Sequence, residues 1–562
     1  MSDDRPLTRS ASLLLLAVFA VLWFGNLDYR KLVRPDEGRY AEIPREMAVS
    51  GDWLTPRLNG IKYFEKPPLQ YWATAAAYKI FGEHEWTVRL WPALTGFAGV
   101  LLTCFLGAAL FGATTGLYAG LVLATSMGYM FVAHIATLDM GFAFFMTFAM
   151  GGFLLGLSDR TPARTQRRWI YLAWVGMALA VLSKGLAGVV LPLLALGVYV
   201  VLQRDWSIVR KMRPITGGLL FLAIAAPWFI AVSAVNPEFP SFFFVHEHFA
   251  RFLTKVHKRV APWWYFFPIL ALGMLPWLLL MLDAFRRAWR QPSAGGMHAG
   301  RFLIIWSVAI FAFFSASSSK LPSYILPIFP ALALLVAARL AAITPGGLRW
   351  NIALYAALGI ALFLLAPLAP RFARDGLDLD LFAAYVPWLR AAAVLIIAGS
   401  AAAWLLSSRR QRAAVLAIAC SALIAEQALM MGHDELAPRS SFYHMAQKVR
   451  PYLRSDAPLY SVGTYEQTLP FYLKRTVTLV AFADEMAYGL EQEPGLWLRD
   501  IASFERVWRN TDYAVAVMPP HVYERLTRDR LPMTVIARDA RLVVATTPPA
   551  NAKDAQPGEG RP

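Results

Sequence analysis

Long apolar runs recur at short intervals over the first 432 residues of the chain. Most are long enough to cross roughly 30 Å of hydrocarbon as a helix, a pattern typical of polytopic membrane proteins. The pattern predicts about thirteen membrane-spanning helices, at residues 8–28, 90–111, 115–135, 137–157, 169–184, 186–203, 215–235, 263–285, 302–319, 322–340, 350–368, 388–407 and 413–432.

After residue 432 the pattern changes. Short β-prone segments such as APLYSVGTY and YAVAVMP alternate with charged, helix-like stretches such as LWLRDIASFERVWR. We therefore predict two domains, a transmembrane domain over 1–432 and a soluble α/β domain over 433–562. The last residues of the second domain, ANAKDAQPGEGRP, are expected to be disordered.

Composition and charge agree with a membrane protein. Hydrophobic residues make up 57% of the chain and charged residues only 16%, against about a quarter in an average soluble protein. The net charge of +17 comes largely from short loops between apolar runs, where Lys and Arg set topology rather than bind nucleic acid. Cys104 and Cys420 both lie inside apolar runs, so a disulfide framework is not expected.

The strongly basic short loops all fall on one side when the N-terminus is cytoplasmic. This asymmetry places residues 29–89, 236–262 and everything after 432 outside, and the first apolar run is expected to be a retained span. The inward basic residues are Arg160, Arg164, Arg167, Arg168, Arg204, Arg210, Lys211, Arg213, Arg286, Arg287, Arg290, Arg301, Arg409, Arg410 and Arg412.

The first outward segment contains DEGRYAEIPREMAVSGDW, in which Tyr40, Ile43 and Met47 share one helical face. This spacing predicts a short amphipathic helix along the membrane surface. A DxD pattern at Asp378 and Asp380 resembles the metal site of nucleotide-sugar enzymes. It lies in an outward loop, where nucleotide sugars are absent, so we predict solvated polar sequence there.

Charged residues that break the topology pattern are the candidates for chemistry. An outward cluster of Lys and Arg suits an anionic ligand such as a phosphate, although such side chains can also extend to lipid headgroups. An acid within an apolar run, such as Asp139, costs roughly 2.5–3.5 kcal/mol at a bilayer centre and usually has a function. The outward basic residues are Lys62, Lys66, Lys184, Arg251, Lys255, Lys258, Arg259 and Lys320.

Several long, ordered motifs extend over about 300 residues and are accompanied by Asp139 early in the fourth span. They are DExRYAEIxREM at 36–47, SGDW at 50–53, YFEKP at 63–67, SKG at 183–185, EHxxRF at 247–252 and KLPSYILP at 320–327. These motifs resemble the membrane glycosyltransferases of the GT-C fold, and specifically the 4-amino-4-deoxy-L-arabinose lipid A transferases. Protein O-mannosyltransferases are related, but the α/β tail fits the aminoarabinose enzymes better.

The resemblance implies an inverting enzyme of the bacterial inner membrane with its site on the periplasmic side. Its donor would be aminoarabinose on undecaprenyl phosphate, its acceptor lipid A phosphate, and its product would give resistance to polymyxin. One alternative keeps the fold and donor class but glycosylates a protein hydroxyl or another glycan. A transporter of polyprenyl-linked lipid is a second alternative, but the charged groups lie mostly at one surface instead of along a midplane path.

The resemblance also implies roles for individual basic residues. The leaving group is an anionic lipid phosphate, which needs positive charge around it. Lys66 and Arg251 match family positions suited to that task, and Lys184 and Lys320 are further candidates.

Two acids are candidate catalytic residues. Asp36 is expected to orient or deprotonate the acceptor, while Asp139 supports it or holds the sugar amine. Glu37, next to Asp36, is expected to contact substrate.

The remaining candidates are aromatic side chains and metal ligands. Tyr40, Tyr63 and Tyr324 lie in matched motifs and are expected to hydrogen-bond the sugar, although Tyr also collects in interfacial aromatic belts. Glu65 and His246 are the expected ligands if a divalent metal such as zinc is present. No nucleotide-binding fingerprint is found.

Overall fold

The structure is a computed structural model that describes residues 8–159, 161–244, 261–290, 297–374 and 376–548. Before residue 433 the described chain is mainly helical, and short 3-10 helices lie at Trp263–Tyr265, Pro322–Ile328 and Ala366–Phe372. The α-helices of this membrane region are α1 (Arg9–Phe24), α2 (Asp36–Ser50), α3 (Leu69–Phe81), α4 (Glu85–Phe111), α5 (Ala113–Ala124), α6 (Met127–Ala133), α7 (Asp139–Gly156), α8 (Ala163–Lys184), α9 (Ala187–Gln203), α10 (Ser207–Lys211), α11 (Pro214–Val235), α12 (Phe266–Gly273), α13 (Leu278–Arg290), α14 (Ala299–Ala316), α15 (Phe329–Ala341), α16 (Pro345–Leu365), α17 (Gly376–Leu406) and α18 (Gln411–Gly432).

Each predicted span coincides with one of these helices or with a pair of them. Among the described residues, eight helices are long and apolar enough to cross a membrane, or ten if each bent pair is one span. One pair is α5 with α6, bent by 65°, and the other is Trp263–Gly273 with Leu278–Arg290, bent by 109°. The prediction of a polytopic membrane protein is confirmed, whereas the number of thirteen spans stays a prediction.

The two bent pairs meet where their backbones approach closely. The Met127 amide donates to the Leu275 carbonyl at 3.1 Å. A Cβ added to Gly128 would lie 3.0 Å from the Gly273 Cα and 2.9 Å from the Phe329 ring. Small residues at this crossing let the chains pass each other, as at other helix contacts in membranes.

The helix α7, which carries Asp139, is an interior helix. In α7, 83% of the most apolar 18-residue stretch is buried inside the protein, whereas only 17% of the corresponding stretch of α11 is buried. It packs against α4 and α8. Asp139 is therefore held within protein rather than facing lipid.

After residue 432 the chain forms the predicted α/β region. Its strands are β3 (Leu459–Val462), β4 (Thr478–Val480), β5 (Trp497–Leu498), β6 (Val515–Met518), β7 (Thr534–Arg538) and β8 (Val543–Thr546). They form a sheet of order β5-β4-β3-β6-β8-β7, parallel from β5 to β6, with β8 antiparallel to both β6 and β7. Its helices are α19 (Ala437–Ser440), α20 (Tyr443–Val449), α21 (Leu469–Leu473), α22 (Ala487–Gln492), α23 (Ile501–Arg509) and α24 (Pro520–Arg528). The predicted disordered end lies outside the described residues.

The predicted amphipathic helix exists as α2, and its position along the membrane surface stays a prediction. Tyr40, Ile43 and Met47 are buried, and α2 packs against α3 and α4 of the membrane region and against α21 of the α/β region. A Cβ added to Gly38 would lie 2.5 Å from the Gln467 carbonyl carbon. The α/β region therefore packs closely against the face of α2 that contains Gly38.

Candidate functional site

The first turn of α2 presents Asp36 beside a buried arginine. The Asp36 side chain is 38% exposed, and Arg39 Nη1 donates to its Oδ1 at 3.0 Å. Arg39 also donates to Glu485 of the α/β region, and its guanidinium lies 5.9 Å from the ring centroids of Tyr40 and Tyr63. The α/β region thus holds the arginine that orients the Asp36 carboxylate.

Glu37 points the other way, into protein. Its two oxygens accept hydrogen bonds from the Arg89 guanidinium at 2.8 and 2.9 Å and from the backbone amides of Val33 and Ala136. Burial raises the pKa of Glu37, but the charges of Arg89 and Arg30 and these hydrogen bonds outweigh it and lower that pKa to about 2. The predicted substrate contact of Glu37 does not fit this geometry, because its oxygens are already occupied.

Asp139 and Lys184 form an ion pair between two helix ends. Asp139 is the first residue of α7 and Lys184 is the last of α8, where the helix dipoles favour an acid and a base, respectively. Lys184 Nζ donates to Asp139 Oδ1 and lies 4.6 Å from the ring centroid of Tyr324. Their side chains are 12% and 14% exposed. The structure thus brings together three residues whose motifs lie far apart in the chain.

Tyr40 is a buried tyrosine of α2. Its ring stacks on that of Tyr71 with a centroid distance of 6.2 Å. Burial raises the pKa of Tyr40 far above its usual value, and the negative charge of Asp36 raises that pKa further, while Arg39 lowers it. Its hydroxyl is therefore protonated at neutral pH and able to donate a hydrogen bond.

The segment after the β1 (Arg57–Leu58) and β2 (Ile61–Lys62) hairpin brings three more candidates to this cluster. Lys66 Nζ donates to the Glu65 carbonyl at 2.8 Å and lies 3.9 Å from the Glu65 carboxylate. The buried Tyr63 hydroxyl has no hydrogen-bond partner among the described residues. A buried hydroxyl left unpaired is costly, so this geometry suits a hydrogen bond to a bound ligand or water.

Lys320 lies just before the 3-10 helix that carries Tyr324. Its Nζ donates to the carbonyls of Ser317 and, at 3.1 Å, Ala261. Burial lowers the pKa of Lys320. Its predicted contact with phosphate stays a prediction.

The remaining predicted ligands cannot be placed in the same way. Arg251 and His246 lie outside the described residues. Within the described ranges, no group of three or more His, Cys, Asp or Glu residues could hold a metal ion. The expected zinc site of Glu65 and His246 therefore stays a prediction.

Sequence reasoning missed three residues that shape the site. A sequence signal for Arg39 existed, because it follows Asp36 at the i,i+3 spacing of helical ion pairs. Arg89, which holds Glu37, comes from the start of α4. Glu485 lies 446 residues after Arg39 in the chain, and no sequence spacing indicates their contact.

Two family models match the chain. Residues 10–286 match the dolichyl-phosphate-mannose-protein mannosyltransferase family. Residues 445–547 match the aminoarabinose transferase C-terminal domain, a range that contains all six strands of the sheet. The two matches correspond to the membrane and α/β regions of the structure.

A solved structure decides the family. The crystal structure of ArnT from Cupriavidus metallidurans bound to undecaprenyl phosphate is 37% identical to this chain, with a TM-score of 0.91. The similarity covers 96% of this chain and 98% of that one. The chain belongs to the ArnT family. Its membrane region is therefore of GT-C type, as the motifs predicted.

Two further relatives are similar over slightly less than two thirds of the chain. The undecaprenyl phosphate-alpha-4-amino-4-deoxy-L-arabinose arabinosyl transferase of Edwardsiella ictaluri is 37% identical over 363 residues, and that of Pseudomonas aeruginosa is 35% identical over 379. Each alignment spans 65% of the relative's length, just under two thirds.

Proposed function

We propose that the protein transfers 4-amino-4-deoxy-L-arabinose from undecaprenyl phosphate to phosphate groups of lipid A in the bacterial inner membrane. The observation that carries this proposal is the near full-length similarity to an ArnT bound to undecaprenyl phosphate. Masking of lipid A phosphate charge would then give resistance to polymyxin and other cationic peptides.

In this proposal the basic residues of the site bind the donor. Lys66 and Lys184 would surround the phosphate of the undecaprenyl donor, together with Arg251 and Lys320. Preorganised cations stabilise the negative charge that develops on the leaving phosphate. Tyr40, Tyr63 and Tyr324 would hydrogen-bond the sugar, and the unpaired Tyr63 hydroxyl supports that role.

Asp36 would act on the acceptor side. A lipid A phosphate is largely ionised near neutral pH, so Asp36 would position it instead of removing a proton. The acceptor phosphate oxygen forms the new bond to the anomeric carbon while the bond from that carbon to the donor phosphate breaks. Undecaprenyl phosphate leaves with the electron pair, and this single displacement inverts the anomeric centre.

A divalent ion at Glu65 and His246 remains part of the proposal. It would supply positive charge beside the donor phosphate. The described residues contain no group of three or more His, Cys, Asp or Glu that could hold the ion, and no step above depends on it.

A second candidate function changes only the acceptor. The match of residues 10–286 to the protein mannosyltransferase family favours a protein hydroxyl. In that case Asp36 would be a true general base, because a hydroxyl is protonated at neutral pH. The aminoarabinose-type C-terminal match favours lipid A.

The function is tested in cells that make the lipid-linked aminosugar but lack their own transferase. We expect expression of this chain to add aminoarabinose to lipid A, detected by mass spectrometry, and to raise polymyxin resistance. Cells without the lipid-linked aminosugar are the control. Unmodified lipid A alongside newly glycosylated periplasmic protein would instead support the second candidate.

The proposal also requires a periplasmic site. We expect a reporter that is active only in the periplasm to work when fused after residue 440 and to be silent near Ala163. The reason is that the predicted topology places the basic short loops on the cytoplasmic side and the residues after 432 on the opposite side of the membrane. Reciprocal fusions to a cytoplasmic fluorescent protein check the result, and the reverse pattern would overturn the orientation.

A further inference from the structure

A large polar cavity lies between the membrane region and the α/β region, beside the site described above. Its volume is about 780 Å³, within the range of cavities that hold small-molecule ligands. Arg374 and Asp378 line it from the membrane region, and Gln467 and Arg541 line it from the α/β region. Neither region encloses the cavity alone, so any ligand in it contacts both.

Arginine side chains are the dominant charged groups of this cavity. They come from four separate parts of the chain: Arg34, Arg374, Arg439 and Arg541. Guanidinium groups match phosphate geometry with two parallel hydrogen bonds, which makes them the preferred side chains for phosphate recognition. Four of them around one cavity favour an anionic ligand.

Two of the arginines are already tied to protein acids. Arg439 lies 3.3 Å from Asp378, and Arg541 lies 2.7 Å from Glu466. Arg34 is 47% exposed and only 3.9 Å from Glu466 at its nearest, and Arg374 forms no ion pair within the described residues. Arg34 and Arg374 are therefore the groups available to a ligand phosphate.

The cavity wall also carries three acids, Asp378, Asp484 and Asp539, which offset part of this charge. Asp378 is buried against Arg439. The prediction that the DxD pattern is solvated is therefore wrong at Asp378. Asp539 accepts hydrogen bonds from the backbone amides of Arg541 and Leu542. These two carboxylates are occupied by protein groups.

The cavity adjoins Asp36. Arg34 and Pro35, the two residues before Asp36, form part of its wall. Gln467, another wall residue, donates to Glu485 at 3.4 Å, the same Glu485 that holds Arg39. A ligand in the cavity would therefore lie beside the acceptor side of the site.

Two exposed apolar side chains lie close to Arg374 in the chain. Phe372 is 75% exposed and Leu379 is 50% exposed, on either side of Arg374 in the chain. A ligand with an anionic head and apolar chains would fit both surfaces together. A small water-soluble anion would use only the arginines.

We propose that this cavity binds the phosphorylated sugar headgroup of the acceptor glycolipid, with Arg34 and Arg374 on its phosphate and Phe372 and Leu379 beside its acyl chains. This inference rests on the proposed function, because it takes a glycolipid phosphate as the acceptor. It assigns acceptor selection to the junction of the two regions and donor binding to the Lys66 and Lys184 side.

The test compares acceptor and donor kinetics in the full-length protein in nanodiscs. We expect Arg34→Gln and Arg374→Gln each to raise the KM for lipid A by roughly tenfold, and the double variant to raise it further, because each removes a charge-assisted hydrogen bond. The donor KM and the thermal unfolding midpoint should stay as in the wild type. Arg528→Gln, at the exposed end of α24, is the matched control and should change neither KM.

Binding without chemistry separates this proposal from the proposed function. The probes are the deacylated bisphosphorylated disaccharide of lipid A, the same disaccharide without phosphates, and inorganic phosphate, each added to the wild type and the double variant. We expect tight binding only for the first probe and its loss in the double variant.

Unchanged lipid A KM, or an equal rise in donor KM, would overturn the cavity assignment. Equal binding of inorganic phosphate would reduce it to a simple anion site. Headgroup binding that the double variant loses, without sugar transfer to lipid A by the wild type, would overturn the proposed function and leave the cavity as a headgroup site.

Discussion

Asp36→Asn is expected to abolish transfer to lipid A while the protein still inserts and accumulates normally. The substitution keeps the shape of the side chain but removes the charge that faces the acceptor side of the site. Residues that position or deprotonate a reacting group typically contribute roughly 100- to 10,000-fold to the rate. Loss of the partly exposed pair with Arg39 should cost little stability. The rate is measured with purified protein and a labelled donor.

Asp52→Asn is the matched control for that variant. Asp52 is an acid in the same outward segment, and its Oδ1 accepts the backbone amides of Leu54 and Thr55 at 3.0 and 3.1 Å. An asparagine keeps that acceptor oxygen, so its activity should stay near normal. Near-normal turnover by purified Asp36→Asn would remove Asp36 from the mechanism.

The sequence was sufficient to predict the helical segments and the α/β region. Apolar runs predicted spans because a bilayer forces the backbone to satisfy its hydrogen bonds within each helix. The helix at α2 was also predictable, from the shared face of Tyr40, Ile43 and Met47. Its burial was not, because periodicity identifies an apolar face without identifying what covers it. On the apolar face Tyr40 stacks on Tyr71 of α3, and the α/β region approaches the opposite face closely at Gly38.

The same reason explains which site residues were predictable. Asp36, Asp139 and Lys184 stood out as charges in unusual places, and the structure brings Asp139 and Lys184 into contact. Glu37 stood out equally but proved to be enclosed by Arg89 and backbone amides. A buried, paired carboxylate and an open one look identical in sequence, because the difference lies in residues contributed from elsewhere in the chain.

The cavity lay beyond sequence reasoning altogether. Its arginines come from the first loop, from the chain before α17 and from the α/β region. Each is unremarkable in its own segment. Only the packing of the two regions places them around one cavity.

Asp139→Asn and Lys184→Gln, each as a single substitution, are expected to lower both the stability of the protein and its transfer activity strongly. Either change leaves the other partner charged and largely buried without its counter-ion, which costs about 3–5 kcal/mol for a buried pair. Each also alters the charge near Tyr40 and Tyr324, where the sugar and the donor phosphate are proposed to bind. Single variants therefore confuse loss of stability with loss of catalysis.

The double variant Asp139→Asn/Lys184→Gln separates these two effects. It removes both charges, so the unpaired partner disappears and the unfolding midpoint should recover most of the way to the wild-type value. Transfer activity should not recover, because the site then lacks both the acid of α7 and the cation of α8. The checks are thermal unfolding of the purified protein and the rate of sugar transfer in the same preparations. If activity returned together with stability, the pair would only hold α7 against α8, and the donor phosphate would have to depend on the other cations.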